Sequence, residues 1–323
     1  MARQSARRKP TRPGLRQRFL AWWRGRNRPV LALPAPTPAL PILDLINRVD
    51  PDPPSDDQVI GKKGKGPLWT VDRITVAEHL WGEGFIQPGG PELVDELIRP
   101  LSLDNSMQVL DIGAGLGGVA RAITKQTDAW VTAFEPDPLL AERGNEYSTK
   151  AGLGRKAPVQ RFDAGESKLK PNIYDAVISR EALFTMPDKP QLIRNLAGAL
   201  KPQTGQMLFT DYMLPSRGYV IPDLRTWAAV EPVMPDPWSL DEALATMEAL
   251  RLDVRIRDDI SELVHRMIRR GWADFAKRLE GGNMTRGFRR ALLKEIEMWA
   301  ARATLIERGH LKVYRVYARR VGR

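Results

Sequence analysis

A glycine-rich turn that follows an apolar strand has the residue types for holding a nucleotide-like cofactor. Residues 107–112 predict the strand, and a helix is predicted to begin near residue 118. Four glycines lie in the turn or at the start of the helix: Gly113, Gly115, Gly117 and Gly118. Glycine permits a left-handed backbone and leaves no side chain between the chain and a ligand. The helix N-terminus adds free N–H groups and the positive end of its dipole, so the predicted chemistry is cofactor binding at the carboxyl edge of a parallel sheet.

This turn satisfies two cofactor patterns at once. Gly113, Gly115 and Gly118 have the spacing G-x-G-x-x-G, which is typical of dinucleotide sites. The spacing D-x-G-x-G-x-G, from Asp111 to Gly117, resembles the first motif of class I methyltransferases, which use S-adenosylmethionine. The turn alone therefore leaves NAD and S-adenosylmethionine open as cofactors.

Acidic residues at the ends of successive predicted strands favour one of the two cofactors. The strand over 130–135 ends in Glu135, whose carboxylate can accept hydrogen bonds from both hydroxyls of a ribose. The strand over 158–162 is followed by Asp163 and Ala164, where the methyltransferase resemblance implies an acid near the adenine amino group. This layout favours S-adenosylmethionine over NAD.

Strands and helices alternate along most of the chain. Further strands are predicted over 174–179, 205–211 and 252–257, and a final strand over 311–318. The alternation predicts an α/β fold with a Rossmann-like, doubly wound sheet, and the final strand resembles the antiparallel one with which class I methyltransferases end. Helices are predicted over 71–80, 91–101, 240–250 (with Ser239 as N-cap), 260–279 and 288–308.

Three segments outside the turn resemble phosphoethanolamine (phosphobase) methyltransferases. Residues 81–90 match G-E-x-aromatic-I-x-x-G-G, residues 179–183 are similar to S-R-D-A-I, and residues 209–212 are similar to I-T-D-Y. The resemblance covers roughly residues 69–212. It implies that Glu181 and Tyr212 lie near the methyl acceptor. It also implies that eight residues surround the cofactor: Ile86, Gln87, Gly113, Glu135, Pro136, Asp163, Ala164 and Arg180.

The positions that would contact the substrate differ from that family's pattern. Thr185 stands at the place of the family's catalytic histidine and is too weak a base to act unaided, and Trp69 stands at the place of its partner tyrosine. A second tyrosine of the pocket is replaced by Ala77, and the stretch 233–235 lacks the arginine and tyrosine that hold the substrate phosphate. These departures disfavour phosphoethanolamine as the substrate.

Methyl transfer sets clear chemical requirements. The displacement at a sulfonium needs the acceptor, methyl and sulfur in line and water excluded, and an acceptor with a proton needs a route for proton loss. Four residues are candidates for these roles: Glu181, Tyr212, Thr185 and His79. Three of them also have a non-catalytic interpretation: Glu181 as an acid at a helix N-terminus, Tyr212 as a core residue and His79 as a solvated residue on a helix.

Composition excludes several kinds of site. The 323 residues contain no cysteine, so neither a disulfide framework nor a thiolate metal site can form. The three histidines (His79, His265 and His310) lack the spacing of metal ligands, and no metal is predicted. No run of about 18 apolar residues is present, so no transmembrane helix is predicted.

The net charge of +11 is concentrated in the N-terminal segment. Residues 1–43 contain ten basic and no acidic residues, and the remaining 280 residues contain 40 basic and 39 acidic ones. Four apolar residues in this segment have the spacing of one helix face: Leu15, Phe19, Trp22 and Trp23. Residues 1–28 therefore predict a basic amphipathic tail that contacts anionic membrane surfaces. A solvated arm, a nucleic-acid or protein contact and an organelle transit peptide are alternatives.

The predicted organisation is the tail, a linker over 29–68 and a methyltransferase domain over 69–323. The linker contains eight prolines between residues 29 and 54 and then a glycine–lysine run. The expected location is cytoplasmic and peripheral at a membrane, or an organelle matrix if the tail is a transit peptide.

Three functions compete at this stage. The first is methylation of a small amine, a lipid headgroup or a related metabolite. The second is methylation of RNA or protein with the tail as an arm, which the near-neutral remainder of the chain disfavours. The third is a structural or assembly subunit without turnover, which the intact acids and glycines of the cofactor half disfavour. The oligomeric state is left open.

Overall fold

One seven-stranded sheet organises the chain in the computed structural model, which describes residues 67–162, 169–279 and 284–322. The strands are β1 Gln108–Ile112, β2 Trp130–Glu135, β3 Val159–Arg161, β4 Ala176–Arg180, β5 Gln206–Met213, β6 Leu252–Asp259 and β7 Lys312–Arg320. The helices are α1 Val71–Trp81, α2 Gly90–Ile98, α3 Gly118–Thr127, α4 Pro138–Lys150, α5 Lys189–Ala199, α6 Pro222–Val230, α7 Leu240–Ala249, α8 Ser261–Arg278 and α9 Arg286–Glu307.

The strand order is β3-β2-β1-β4-β5-β7-β6. Strands β1 to β5 are parallel, whereas β7 pairs antiparallel with both β5 and β6. The order reverses direction between β1 and β4, and ligands of such sheets bind outside the carboxyl ends of the strands at that reversal. The predicted Rossmann-like α/β fold and its final antiparallel strand are confirmed.

The central strands are buried because helices cover them. All five residues of β4 are buried, and so are the last four of β1. Apolar side chains of β1, β4 and β5 pack with residues of α5 and α7 in one core cluster. Continuous apolar runs of this kind are expected for strands that are buried on both faces.

The first helix is held in place by residues that lie 190 to 222 positions further along the chain. Arg73 donates from Nε to Glu295 Oε1 at 2.6 Å, which ties α1 to α9. The ring of Trp81 meets Trp299 with centroids 4.8 Å apart. Gly271 on α8 leaves room for this indole, since a Cβ there would lie 2.3 Å from Trp81 Cζ3. The helices α1, α8 and α9 therefore pack as one layer.

The observed boundaries differ from the predicted ones by a few residues, for local reasons. The helix predicted over 91–101 ends at Ile98 and continues as a 3₁₀ turn, Arg99–Leu101, because Pro100 has no N–H to donate. Helix α9 begins two residues early, because Thr285 Oγ1 accepts from Phe288 N and caps it. Ser239 caps α7 as predicted, within a capping box.

Parts of the predicted organisation lie outside the described residues. The tail and the linker up to residue 66 are among them, so their boundaries stay predictions. Among the helices of residues 67–162, 169–279 and 284–322, none is long and apolar enough to cross a bilayer.

Candidate cofactor-binding and acceptor site

The turn between β1 and α3 depends on glycine for its shape. Gly113, Gly115 and Gly117 have φ values of 71°, 56° and 72°, which lie in the left-handed region. A Cβ at Gly113 would also lie 2.3 Å from the Cβ of Ala182, in the segment after β4. The turn is therefore fixed by backbone conformation and by close approach of a neighbouring loop.

Replacing Gly113 separates these two effects when Gly152 is the control. Gly152 has the same φ of 71° but no atom within 4 Å of its ideal Cβ. We expect Gly152→Ala to cost about 1–2 kcal/mol from the left-handed backbone alone. Gly113→Ala should cost about 1–3 kcal/mol more from overpacking and should also lose cofactor binding. Urea unfolding and calorimetry measure both effects, and equal costs for the two variants would contradict this account.

A pocket opens above this turn. It joins the carboxyl ends of β1 and β4 to the segment between α1 and α2. Twelve residues line it: Gly84, Phe85, Ile86, Gln87, Asp111, Gly113, Ala114, Gly115, Leu116, Gly118, Val119 and Arg180. Six of these are predicted cofactor residues, so the fold brings together residues that are far apart in the sequence.

Glu135 joins this pocket through the glycine turn. Its Oε2 accepts from Gly115 N at 2.8 Å, and its Oε1 accepts from Asp137 N at 2.9 Å. Burial raises the pKa of the Glu135 carboxyl to about 7, although both backbone hydrogen bonds oppose this shift. Each oxygen has lone pairs left over, so the carboxylate can still accept bonds from a diol.

Asp111 and Arg180 have buried polar atoms without partners among the described residues. These are Asp111 Oδ2 and the Nε and Nη1 atoms of Arg180, and both side chains line the pocket. Burial raises the pKa of Asp111 to about 7, while the positive charge of Arg180 lowers it. Arg180 pairs through Nη2 with Glu181, but buried polar atoms without a hydrogen-bond partner are costly. The remaining acceptor of Asp111 and donors of Arg180 therefore indicate a ligand that carries both a cationic and an anionic group.

S-adenosylmethionine fits these groups. Its amino-acid end carries an ammonium and a carboxylate, which complement the unpaired atoms of Asp111 and Arg180. Its ribose hydroxyls can donate to the carboxylate of Glu135, and its amino-acid chain can pass close to a turn that has no side chains. NAD has no cationic amino-acid end for Asp111 to bind.

The other predicted cofactor residues have different positions. Ile86 lies against the turn, 2.9 Å from the ideal Cβ of Gly115, and Gln87 Nε2 donates to the carbonyl of Arg180 at 2.9 Å. Gly117 caps α3, and Pro136 is exposed after β2. Asp163 and Ala164 lie outside the described residues, so their role near the adenine stays a prediction.

Glu181 lies at the same sheet edge, directly after β4. It is buried with φ of 43°, and its Oε1 accepts from Thr210 Oγ1 on β5 at 2.6 Å. Its Oε2 lies 3.4 Å from Arg180 Nη2. A non-glycine residue in the left-handed region is often found where function constrains the backbone. Its predicted contact with the acceptor stays a prediction.

Tyr212 belongs to an aromatic cluster that the sequence did not reveal. Its fully buried ring packs edge-on against Phe184, with centroids 5.1 Å apart, and Phe184 stacks on Trp227 at 6.1 Å. The guanidinium of Arg302 lies 5.1 Å from the Tyr212 ring and 5.3 Å from Phe184. Burial raises the pKa of the Tyr212 hydroxyl above its usual range, so this phenol stays protonated.

The charge of Arg302 is compensated within the protein. Glu231 accepts from its Nε at 2.6 Å and from its Nη2 at 2.7 Å, and Glu231 also accepts from Trp227 Nε1. Arg302 and Glu231 are 71 residues apart and belong to no motif. No sequence signal marked this pair, because the fold alone brings α9 to the end of α6.

Asp211 is a second residue that sequence reasoning passed over. It lies next to Tyr212 in the T-D-Y segment and is fully buried. Its Oδ1 accepts from Phe184 N at 3.2 Å, while Oδ2 has no partner among the described residues. Burial raises the pKa of Asp211 well above its ordinary value. It holds Phe184 in place beside the acceptor candidates.

Thr185 and His79 have local contacts. Thr185 Oγ1 donates to the carbonyl of Ala182 at 2.9 Å. His79 is exposed on α1, where its Nδ1 lies 2.8 Å from the carbonyl of Thr75 and its ring packs edge-on against Phe275 and Phe288. These contacts place His79 against α8 and α9, whereas Thr185 follows β4. Their catalytic roles stay predictions.

Curated relatives include methyltransferases for several substrates. A phosphoethanolamine N-methyltransferase 1 of Triticum aestivum is 28% identical over 166 residues, which cover 46% of this chain and 32% of the relative. A 27-O-demethylrifamycin SV methyltransferase of Amycolatopsis mediterranei is 28% identical over 216 residues, which cover 63% of this chain and 78% of the relative. The chain thus spans about a third of the first relative.

Solved structures show the same fold. A Haemonchus contortus phosphoethanolamine N-methyltransferase 2 in complex with S-adenosyl-L-methionine has a TM-score of 0.69 at 19% identity. The match covers 77% of this chain and 56% of that one.

The fold and the glycine turn define a class I methyltransferase architecture. A family model described as a methyltransferase domain matches residues 87–275, more than half of the chain, and the chain therefore belongs to this family of S-adenosylmethionine-dependent enzymes. The predicted family, enzyme class and cofactor are confirmed.

Proposed function

We propose that this protein transfers a methyl group from S-adenosylmethionine to an uncharged or weakly charged metabolite or lipid. The observation that supports turnover is the set of buried polar atoms of Asp111 and Arg180 that have no hydrogen-bond partner among the described residues, beside the glycine turn. A purely structural subunit has no need to keep such costly groups. The variety of acceptors named for its relatives fits a small molecule.

The residues of this chain have separable roles in the reaction. The bound cofactor supplies a methyl group that is activated by a positive sulfur. Glu135 binds the ribose, Asp111 and Arg180 bind the amino-acid end, and the glycine turn lets the backbone approach. Glu181, held by Thr210, faces the acceptor and either positions it or takes up its proton. The aromatic cluster around Tyr212 excludes water from this side.

The state of Arg302 argues against a phosphate-bearing acceptor. A dianion needs unpaired donors in exchange for its water shell. Arg302 lies beside Tyr212, but Glu231 binds it with two hydrogen bonds. The exposed residues Val233 and Met234 offer no charge either. We therefore expect negligible turnover of phosphoethanolamine.

Methyl-transfer profiling tests this function. The purified protein is incubated with labelled S-adenosylmethionine and extracts of metabolites, lipids or RNA, with phosphoethanolamine in a parallel reaction. We expect label in the metabolite or lipid fraction. Efficient labelling of phosphoethanolamine would refute the proposed acceptor class, and label only in RNA would favour RNA methylation.

Glu181→Gln tests the acceptor side separately. We expect kcat on the true substrate to fall by about 10²–10⁴, the usual contribution of a positioned acid or base, with a small change in cofactor affinity. Thr210→Val is the companion variant, since it keeps the carboxylate and removes the 2.6 Å hydrogen bond that orients it. A loss confined to cofactor affinity would assign Glu181 to the cofactor instead.

The cellular site of action is part of the proposal. We place the protein in the cytoplasm, at the surface of an anionic membrane, because residues 1–28 are basic and carry Phe19, Trp22 and Trp23. A lipid acceptor, or an acceptor dissolved in the membrane, would then reach the enzyme where it binds.

A further inference from the structure

The near-zero net charge of residues 44–323 hides a local concentration of positive charge. Between residues 266 and 294, nine side chains are basic and two are acidic. This stretch contains most of α8 and the first turns of α9. The net charge outside the N-terminal segment is close to zero, but this stretch of the fold carries a local excess of positive charge.

Four of these basic side chains are exposed in the last turn of α8 and the first half of α9, and one of them, Lys277, lies 3.7 Å from Asp274. Lys277 lies in the last turn of α8, and Arg286, Arg290 and Lys294 lie on α9. The spacing of four residues on α9 places its three side chains along one stripe of the helix. We call these four residues the basic stripe.

The helix dipole does not explain this stripe. Basic residues stabilise the C-terminus of a helix, which accounts for Lys277, but they oppose the positive end of the dipole at an N-terminus. Arg286 is in the first turn of α9, and that turn has no acidic residue. The charge at the start of α9 thus opposes helix stability, which points to a role outside the fold.

Exposed aliphatic side chains lie beside the basic stripe. The first turns of α1 and α9 touch, since a Cβ at Gly287 would lie 2.1 Å from Asp72 Oδ2. Next to Asp72, Val71 is 57% exposed, and Leu68 is 36% exposed. The corner therefore combines positive charge with apolar side chains that are free to enter an interface.

The position of this corner relates it to the site. The described part of the chain begins at Pro67, directly before Leu68. Behind the corner, Ile74 of α1 packs with Leu116, which lines the cofactor pocket. A surface that docks here would lie next to α1, which supports the pocket lining through the contact of Ile74 with Leu116.

We propose that the basic stripe, with Leu68 and Val71, docks the folded domain on an anionic lipid bilayer. Diffuse positive charge next to inserted aliphatic groups is the chemistry that anionic bilayers recognise. Nucleic acid would use the charge but not the two aliphatic side chains. Docking does not require methyl transfer, so it stands or falls independently of the proposed enzyme activity.

Charge neutralisation in the full chain tests the docking surface. The stripe variant carries Lys277→Gln, Arg286→Gln, Arg290→Gln and Lys294→Gln. The control variant removes four charges from exposed positions on other elements: Lys125→Gln, Arg155→Gln, Lys170→Gln and Arg194→Gln. Co-sedimentation is measured with phosphatidylcholine vesicles that contain about one-third phosphatidylserine, and circular dichroism confirms that each variant is folded.

The stripe variant is expected to bind these vesicles about tenfold or more weakly than the control variant. The affinity of the wild type for vesicles should fall as the salt concentration rises. Val71→Ser should weaken the vesicle binding that remains at high salt. Equal losses in the two charge variants would overturn the proposal, because only net charge would then matter. A different result would identify nucleic acid, and not lipid, as the partner of the basic stripe. In that case RNA would release the wild type from vesicles, and the stripe variant would lose RNA binding to the same extent.

Discussion

Cofactor affinity is expected to weaken by about tenfold or more as the pH falls from 7.5 to 6, since each protonated carboxyl can cost up to tenfold per pH unit. Burial raises the pKa of Asp111 and of Glu135 to about 7. The ammonium and the ribose hydroxyls of S-adenosylmethionine need both groups ionised, so binding releases protons. Calorimetry in buffers of different ionisation enthalpy measures the affinity and the proton release together.

Single substitutions assign this effect to its residues. Glu135→Ala should weaken cofactor binding about tenfold to a hundredfold, since a hydrogen bond to a charged group contributes roughly 1.5–3 kcal/mol. Asp111→Asn should remove part of the pH dependence. The control is Asp104→Asn, because Asp104 is exposed and hydrogen bonds from Ser106 lower its pKa. A pH profile that is unchanged by Asp111→Asn would contradict the assignment of Asp111.

The carboxyl groups of Asp111 and Glu135 have the opposite effect on the stability of the cofactor-free fold, which rises as the pH falls. Their pKa values are raised above those of the unfolded chain, which lie near 4. The folded, cofactor-free protein therefore pays the full cost of ionisation above pH 7, and their contribution becomes less unfavourable as the pH falls toward 4. Cofactor binding should reduce this dependence, because it compensates the charges.

Arg302→Ala is expected to destabilise the fold by about 3–5 kcal/mol. The substitution leaves Glu231, which is 4% exposed, as an uncompensated buried charge against Trp227. The double variant Arg302→Met/Glu231→Leu should recover most of this loss, since apolar side chains of similar volume replace buried ion pairs well. Urea unfolding measures all three proteins.

A second ion pair between the ends of the same two helices serves as the control. Arg308, directly after α9, donates to Asp223 of α6 at 2.9 Å, but these side chains are 59% and 46% exposed. Arg308→Ala should cost less than about 1 kcal/mol. If both arginine variants lost the same stability, the loss would reflect general weakening of the contact between the helices and not the burial of charge.

The glycine turn and the strand ends were predictable because their signals are local. Chain spacing alone places Asp111 and Glu135 at one edge of a parallel sheet, and the structure brings both to the turn. Ile86, Gln87 and Arg180 were assigned to the cofactor by resemblance, and the pocket includes all three. A strand followed by a tight turn leaves few geometric alternatives.

The acceptor side was not predictable in the same way. Arg302 of α9 reaches Tyr212 and Phe184, although it lies 90 residues after the first and 118 residues after the second. A guanidinium in a helix with many other basic residues carries no pattern that marks it as buried. Pairing with Glu231 is a property of how α6 and α9 pack, and packing between distant elements has no sequence period.

The place of β7 has a consequence for how the chain assembles. This strand follows β5 and β6 in the chain, yet it lies between them in the sheet. While the ribosome is still making residues 312–320, β5 lacks its neighbour on one side and β6 has no strand to pair with. Unpaired strand edges invite pairing with other chains. The nascent protein is thus exposed to aggregation until β7 has been made, and chaperone demand should fall once β7 is inserted between β5 and β6.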